Sequence, residues 1–296
     1  MIRARIIGTL VAASAALATM TIVGAEPTAA GPPVRPSCGG EKPLKLAGGK
    51  YACSFEEEFN GSTLDPKKWM VQETAITGMP AGTDGCYVND ADHVKVANGV
   101  LSLTSRIEPA PFICKSPYGD YEATKTTSTV TSWGRFAQTY GRFDFRAKFP
   151  VATAPGVHSA LWLYPQNQTY GGWPKSGEID VAEWFTGDPT TVYPSVHYEG
   201  EDPFSSTGFN CPVPGADSGF HRYGVEWTPT VMRFFYDGNV CFSHSWTPDA
   251  PLTGSQPFDQ PFYLVMTQVF GSGWNYPTSS TPTTATMQVD WVRVWR

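Results

Sequence analysis

The chain has 296 residues, with 21 Lys and Arg against 27 Asp and Glu, which gives a net charge of −6 at pH 7. It carries no basic stripe, and this argues against a nucleic-acid partner. Because a negative surface repels acidic polymers at long range, the charge favours a neutral substrate or partner.

The N-terminus has the organisation of an export signal. Residues 1–5 are short and basic, residues 6–23 are apolar and rich in alanine, and small residues follow as far as Ala30. This pattern predicts a signal peptide over residues 1–30. An uncleaved membrane anchor is the alternative, although the small and polar residues after Gly24 favour cleavage. No later stretch is apolar enough to span a bilayer, so we expect a secreted, extracellular protein without membrane attachment.

A Pro/Gly-rich lead-in follows over residues 31–50. After it, the sequence contains no Ser/Thr/Pro linker, no block of charge and no repeat. We therefore expect one domain over residues 51–296, acting as a monomer. A single β-sandwich can reach this size.

The periodicity of the apolar residues is two. In residues 142–149 every second residue is apolar and the others are charged, which predicts a strand with one buried and one solvated face. The final run, residues 287–295, predicts a strand with apolar residues on both faces.

Turn sequences separate several of these short strands. Asp237-Gly238 between residues 232–236 and 240–242 predicts a hairpin, and Asn98-Gly99 does the same within residues 96–103. No amphipathic helix longer than two turns is evident. Together with 29 Gly and 26 Pro, these signals predict an all-β fold, an antiparallel β-sandwich.

Six cysteines lie after the predicted signal, as expected for an oxidising compartment. The sequence leaves their connectivity open. We predict local pairs that each close a modest loop. No Cys-x-x-Cys spacing favours zinc instead. The predicted pairs are Cys38–Cys53, Cys86–Cys114 and Cys211–Cys241.

Residues 178–183 read Glu-Ile-Asp-Val-Ala-Glu, three carboxylates in a segment that favours a strand. Side chains alternate along a strand, so Glu178 and Asp180 share one face and Glu183 falls on the other. One extra residue, a β-bulge, would return Glu183 to the face of Glu178. Two glutamates in one cleft, roughly 5–5.5 Å apart, are typical of retaining glycosidases. The alternative is an acidic, solvated strand edge. Tryptophans on both sides favour the catalytic interpretation: Trp162, Trp173 and Trp184.

An ordered series of segments resembles glycoside hydrolase family 16, the laminarinase-like retaining β-glycanases of the bulged branch. The resemblance implies a jelly-roll, concanavalin-like sandwich with a concave substrate cleft. It also implies a secreted, endo-acting hydrolase of β-1,3-glucan. The segments are residues 54–69, 140–148, 173–183, 220–229 and 289–294.

The same resemblance assigns the catalytic roles. Glu178 corresponds to the nucleophile that forms a glycosyl-enzyme intermediate. Glu183 corresponds to the acid that protonates the leaving oxygen and then to the base that activates water. Asp180, on the face of Glu178, would hydrogen-bond to it and orient it.

Further residues are predicted to contact the substrate, although tryptophans are also ordinary core residues in a sandwich. His197 would lie near the acid/base or else pack within its strand. Laminarinases typically carry a tryptophan where this chain has His158, and the segment containing Gln268 also departs from the family pattern. The predicted substrate-binding residues are Trp173, Trp162, Trp184, His197, His158 and Gln268.

The departure at His158 keeps a second polymer class open. The axial hydroxyl of galactose interferes with stacking and offers a polar group, so a histidine here favours agarose or a β-galactan as the alternative substrate. A non-hydrolytic glucan-binding protein is the alternative of another class, and transfer to sugar acceptors instead of water would use the same residues.

No cofactor is required for this chemistry. Many family members hold a structural Ca²⁺, and the corresponding ligands here would be Glu58, Gly99 and Asp290. Hard oxygen ligands suit calcium, while an aspartate simply hydrogen-bonded within a strand is the alternative.

Overall fold

Antiparallel strands make up most of the regular structure in the computed structural model, which describes residues 36–82, 84–151, 153–271 and 273–296. The predicted signal peptide and the first five residues of the lead-in lie outside the described residues. The strands are β1 Cys53–Glu57, β2 Met70–Val71, β3 Gly85–Tyr87, β4 Val94–Ala97, β5 Val100–Cys114, β6 Tyr121–Thr131, β7 Ala137–Gln138, β8 Gly141–Lys148, β9 Val157–Pro165, β10 Glu178–Phe185, β11 Asp188–His197, β12 His221–Trp227, β13 Met232–Tyr236, β14 Asn239–His244, β15 Phe262–Phe270 and β16 Thr284–Trp295.

Helices are short throughout the described ranges. Helix α1 spans Thr74–Thr77 and α2 spans Pro203–Ser206, and single 3₁₀ turns occupy Cys38–Gly40 and Gly273–Asn275. None of the described helices is long and apolar enough to cross a membrane. The prediction of a strand-dominated chain is therefore confirmed.

Eleven of the strands in the described ranges follow one hydrogen-bonded path, β11-β10-β9-β15-β6-β5-β16-β8-β12-β13-β14, and the short strands β1, β2, β3, β4 and β7 each pair with one strand of it. The two halves of this path pack face to face. Trp184 of β10 stacks on Phe149, next to β8, with ring centroids 5.3 Å apart. Trp227 of β12 meets Phe262 of β15 edge-on at 5.1 Å. The predicted antiparallel β-sandwich is confirmed, and its core lies between these layers.

Both predicted hairpins form where the turn residues indicated. Asp237 and Gly238 have φ of 49° and 85°, and Asn98 and Gly99 have φ of 56° and 77°. Positive φ at both central residues is the geometry that matches the twist of a two-residue hairpin, which explains the choice of Asp-Gly and Asn-Gly.

The solvated face predicted for β8 is wrong for the first half of the strand, whereas Arg146 and Lys148 in the second half are partly exposed. Arg142 and Asp144 are both buried, with Asp144 fully so. Asp144 is paired with Arg142 and accepts a hydrogen bond from Arg222 at 2.7 Å, and Arg222 pairs in turn with Glu41 at 2.8 Å. The lead-in therefore covers this face, and its charges are buried as a connected network of ion pairs.

All three predicted disulfides are present. The first ties the lead-in to β1, the second joins β3 to the end of β5, and the third joins β14 to the segment after β11. The pairs are Cys38–Cys53, Cys86–Cys114 and Cys211–Cys241.

We predict that Cys38→Ser with Cys53→Ser will lower the free energy of unfolding. The bond closes a loop of 15 residues. Closing such a loop lowers the conformational entropy of the unfolded chain, and this raises the free energy of unfolding by about 3 kcal/mol. Urea unfolding of the purified variant against the wild type measures the difference. The wild type in strong reductant serves as control, and an unchanged urea midpoint in the double variant would contradict the prediction.

Candidate active site

The predicted β-bulge lies in the middle of β10. Against β9, Asp180 pairs with Trp162, whereas Ala182 pairs with the next residue, Leu161. Val181 is therefore the extra residue, and Val181 and Ala182 both face the core. This insertion returns Glu183 to the face of Glu178, as predicted.

A tyrosine from the opposite layer holds the bulge. The Tyr236 hydroxyl of β13 donates a hydrogen bond of 3.0 Å to the carbonyl oxygen of Val181. Burial raises the pKa of Tyr236 well above its usual range, so the phenol stays a donor. Nothing in the local sequence pattern pointed to Tyr236, because its partner lies in a different layer.

The face that carries the three carboxylates opens into a cleft of about 260 Å³. Alternate residues of β6, β9 and β15 form its floor, as strand geometry requires. Loops from both sides complete the walls. The lining residues include Lys125, Thr127, His158, Ala160, Trp162, Thr267, Val269, Gly271 and Tyr276, together with Glu178, Asp180 and Glu183.

Glu178 lies in a crowded acidic environment. A carboxylate oxygen of Glu178, one of Asp180 and a ring nitrogen of His197 lie within 4.8 Å of one another. Burial and the charge of Asp180 raise the pKa of Glu178 well above its usual range, while His197 and a hydrogen bond from Trp173 act in the opposite direction. Burial, followed by the charge of Glu183, raises the pKa of Asp180 to about 6.

His197 supplies positive charge to this cluster. Its Nε2 lies 3.2 Å from Oδ2 of Asp180, and its Nδ1 lies 2.8 Å from Oε1 of Glu201. Burial acts to lower its pKa, but the hydrogen bonds and charges of the two carboxylates raise it to about 11. Both ring nitrogens of His197 lie at hydrogen-bond distance from a carboxylate oxygen, the arrangement of a histidine that is protonated between two acids. His197 was predicted near the acid/base, but its contacts are with Asp180 and Glu201 beside the nucleophile Glu178. Glu201, a loop residue with no distinguishing pattern, was not predicted.

Two predicted aromatic residues lie where a sugar could reach them. Trp173 is 59% exposed, and its ring lies 5.9 Å from that of His197. Trp162 lines the cleft and donates a hydrogen bond of 3.0 Å from its indole nitrogen to Thr267. Contact of either ring with the substrate stays a prediction.

His158 also lines the cleft, but it contacts a catalytic residue. Its Nε2 lies 3.1 Å from Oε1 of Glu183. Its ring stacks on Phe185 with centroids 4.4 Å apart and planes at 13°. The sequence singled out this position as a departure from the family without indicating the contact to Glu183.

Two of the predicted substrate-binding residues face the core instead. Trp184 is fully buried, stacks on Phe149 and donates a hydrogen bond to the carbonyl oxygen of Pro189. It directly follows Glu183, so strand alternation places it on the opposite face.

Gln268 is fully buried as well, between the cleft-lining Thr267 and Val269. Its amide oxygen accepts a hydrogen bond of 2.6 Å from Ser159, and its amide nitrogen donates to Ser105 at 3.1 Å. The assignment of Gln268 to the substrate is therefore wrong, since its amide is satisfied inside the sandwich.

One pair of charges in the cleft was not anticipated. Lys125 of β6 is buried, and its ammonium contacts both carboxylate oxygens of Asp84 at 2.6 and 2.7 Å. The same ammonium lies 5.2 Å from the ring centre of Tyr276. The ion pair places hydrogen-bonding groups in the cleft and leaves its net charge unchanged, because the two charges cancel.

The predicted calcium ligands are arranged differently from a metal site. The Glu58 carboxylate accepts hydrogen bonds from Arg293 at 2.8 and 3.1 Å, and the Asp290 carboxylate is paired with Arg146. The guanidinium beside Asp290, the one aspartate of the predicted set, opposes the approach of a cation to that carboxylate. Binding through backbone oxygens, such as that of Gly99, stays a prediction.

Comparison with known proteins agrees with this geometry. The sequence model of Glycosyl hydrolases family 16 matches residues 83–293. A Beta-glucanase of Rhodothermus marinus is 34% identical over 259 residues, which cover 82% of this chain and 84% of the relative. Glucan endo-1,3-beta-glucosidase A1 of Niallia circulans is 33% identical over 263 residues, which cover 82% of this chain and 37% of that protein's own length.

A solved structure gives the same result. The laminarinase from Rhodothermus marinus superposes with a TM-score of 0.68 at 30% identity, covering 83% of this chain and 97% of that one. The bulged strand, the paired glutamates and these likenesses lead to one conclusion: the chain belongs to glycosyl hydrolases family 16.

Proposed function

We propose that this protein is a secreted, endo-acting, retaining β-glycanase that hydrolyses β-1,3-glucan. The observation that carries the proposal is the bulge in β10, which brings Glu178 and Glu183 into one cleft. The β-1,3-glucan assignment is supported by the names of the relatives, a glucan endo-1,3-beta-glucosidase and a laminarinase.

In the first step, the Glu178 carboxylate attacks the anomeric carbon as the bond to the leaving oxygen breaks. Glu183 gives its proton to that oxygen, so a glycosyl ester and a free sugar hydroxyl result. Glu178 must be ionised for this attack. Burial and the charge of Asp180 raise the pKa of Glu178, and the charge of His197 and the hydrogen bond from Trp173 only partly oppose them, so the ionised fraction of Glu178 falls as the pH is lowered.

In the second step, Glu183 acts as a base. It takes a proton from water, the water oxygen attacks the anomeric carbon, and Glu178 leaves as a carboxylate. The Glu183 side chain is 22% exposed to the cleft, so both water and the leaving group can reach it. Two displacements at one carbon retain the β configuration.

Asp180 and His197 support both steps through charge. The imidazolium of His197 stands between Asp180 and Glu201, so it offsets the negative charge that the cluster concentrates. Glu178 can then alternate between carboxylate and ester without a further change of charge among its neighbours.

The setting of the site supports the rest of the proposal. Trp162 lines the cleft, and the exposed ring of Trp173 lies next to it beside His197, as suits the interior of a neutral polymer chain. Three disulfides and the export-type N-terminus support secretion.

The argument from His158 for a galactan substrate is weaker in the folded protein. His158 was expected to offer a polar group to galactose, but its Nε2 lies 3.1 Å from Glu183. The glucan proposal is preferred on this ground. A binding protein without hydrolysis is disfavoured, because it would not need the three carboxylates held together against repulsion.

The polymer assignment predicts that laminarin will be hydrolysed faster than lichenan, agarose or arabinogalactan. Release of reducing ends from each polymer measures this, and early release of mixed oligosaccharides from laminarin would identify endo action. Faster hydrolysis of agarose or arabinogalactan would contradict the glucan assignment. Binding of insoluble glucan without release of sugar would instead support the non-hydrolytic alternative.

The roles of the two glutamates predict different responses to small anions. Glu183→Ala should lose roughly 10²–10⁴-fold in activity on polymers, since the general acid is gone. With a good aryl leaving group, added azide should accelerate its turnover and give a β-glycosyl azide, because Glu178 still forms the intermediate. Glu178→Gln is the matched control, and azide should not yield the β product with it. Failure of azide to rescue Glu183→Ala would remove Glu183 from the acid/base role.

The charge of His197 predicts a pH-dependent contribution to stability. Its pKa is raised from about 6.5 in an unfolded chain to about 11 in the fold. The contribution is therefore complete below pH 6.5 and is lost as the pH rises toward 11. Glu201→Gln removes one of the groups that raise this pKa, so its melting temperature should fall most at neutral pH and approach that of the wild type near pH 10–11.

Glu199→Gln is the control for this prediction, since it removes the same charge from the same loop but not from a partner of His197. Melting temperatures of the three proteins between pH 6 and 11 provide the measurement. A constant difference between Glu201→Gln and the wild type across this range would show that His197 is not the group responsible.

A further inference from the structure

The contact between His158 and Glu183 is built from two fixed elements. His158 of β9 stands directly opposite Phe185 of β10, two residues after Glu183. The parallel stacking on Phe185, at 4.4 Å and 13°, fixes the plane of the imidazole. That plane directs Nε2 to within 3.1 Å of Oε1 of Glu183.

Both side chains belong to the wall of the cleft and not to the core. The side chain of His158 is 23% exposed and that of Glu183 is 22% exposed. Since both line the cavity that holds Glu178, the contact lies where the leaving oxygen must approach.

Resting on the proposed function, we propose that His158 is a positioning residue for the acid/base Glu183. A hydrogen bond donated by Nε2–H to Oε1 fixes the carboxyl plane. The oxygen Oε1 can accept this bond in both protonation states, as a carboxylate oxygen or as the carbonyl oxygen of the acid.

This hydrogen bond determines which carboxyl oxygen of Glu183 carries the proton. With Oε1 occupied as an acceptor, the proton of the acid form is carried by Oε2, the oxygen left for the leaving group. After the first step Oε2 is the bare oxygen that takes the proton from water. One geometry then serves both steps without rotation of the carboxyl group.

The charged groups that face the imidazole are few. Glu183 is its direct partner, and Asp180 lies close enough for the charge of His158 to lower the pKa of the Asp180 carboxyl. Phe185 on the stacked side is uncharged. A change at His158 therefore acts on the acid/base and only secondarily on Asp180.

The test uses His158→Phe, which keeps an aromatic ring against Phe185 and removes the donor. We expect kcat on laminarin to fall by roughly tenfold or more, the size expected for loss of a hydrogen bond to a charged group, with KM little changed. On aryl glycosides the loss should shrink as the leaving group improves, since a good leaving group needs no proton. His158→Gln, which can still donate through its amide, should recover most of the activity.

A double variant separates positioning from direct binding. If His158 acts through Glu183, then His158→Phe should change little when added to Glu183→Ala. His221→Phe is the control, because His221 pairs with Asp237 on the other layer and its side chain is 21% exposed. Thermal melting checks that every variant is folded.

Three results would overturn the proposal. They are a rise in KM with kcat unchanged, an equal loss on all leaving groups, and a full additional loss in the Glu183→Ala background. Each would make His158 a substrate contact or a structural residue. Failure of azide to rescue Glu183→Ala is a different outcome, since it would remove the proposed function itself.

Discussion

The hydrogen bond from Tyr236 to the carbonyl oxygen of Val181 is the contact on which the catalytic geometry depends. A shift of one residue in a strand exchanges its two faces. Without the bulge, Glu183 would point into the core and Trp184 into the cleft. The extra residue leaves a backbone carbonyl outside the ladder, and a buried carbonyl needs a partner. Because Tyr236 belongs to the opposite layer, the placement of the acid/base Glu183 depends on how the two layers of the sandwich pack.

The second constraint is charge. Three carboxylates around one small cleft are stable only if positive charge and hydrogen-bond donors compensate them. His197 supplies the charge, and Glu201 on its far side keeps it protonated across the neutral range. The charge around the nucleophile Glu178 thus depends on a chain of contacts from Glu201, in the loop after β11, through His197 to Asp180. That loop is held in place by the hydrogen bond of 2.8 Å from Ser206 to Glu201.

Strand alternation and turn chemistry were enough to predict the sandwich and the hairpins. Regular alternation put Glu183 on the face opposite Glu178, and the bulge that brings them together was predicted from the chemistry of paired glutamates and from the resemblance to the bulged branch of the family. With this bulge, the same alternation would have placed Trp184 and Gln268 inside. Trp184 was assigned to the substrate as an aromatic ring beside the carboxylates and Gln268 by likeness of segment, and both are buried. The partners of Val181 and His197 could not be predicted, because Tyr236 approaches from the other layer and Glu201 from an irregular loop. The burial of Arg142 and Asp144 in β8 was missed for the same reason, since their cover comes from the distant lead-in.

The nucleophile Glu178 and the acid/base Glu183 have different neighbours, and this difference affects how a glycan would be bound. Trp173, largely exposed, donates to the nucleophile and offers an aromatic face beside it. On the side of the acid/base, His158 stands where laminarinases typically carry a tryptophan, and its polar edge is directed to Glu183. Since Glu183 must meet the glycosidic oxygen, its neighbours face the leaving half of the chain. We therefore expect stacking to contribute more to the half that becomes covalently attached, and polar groups to contribute more to the leaving half; the Lys125–Asp84 pair supplies such polar groups in the same cleft.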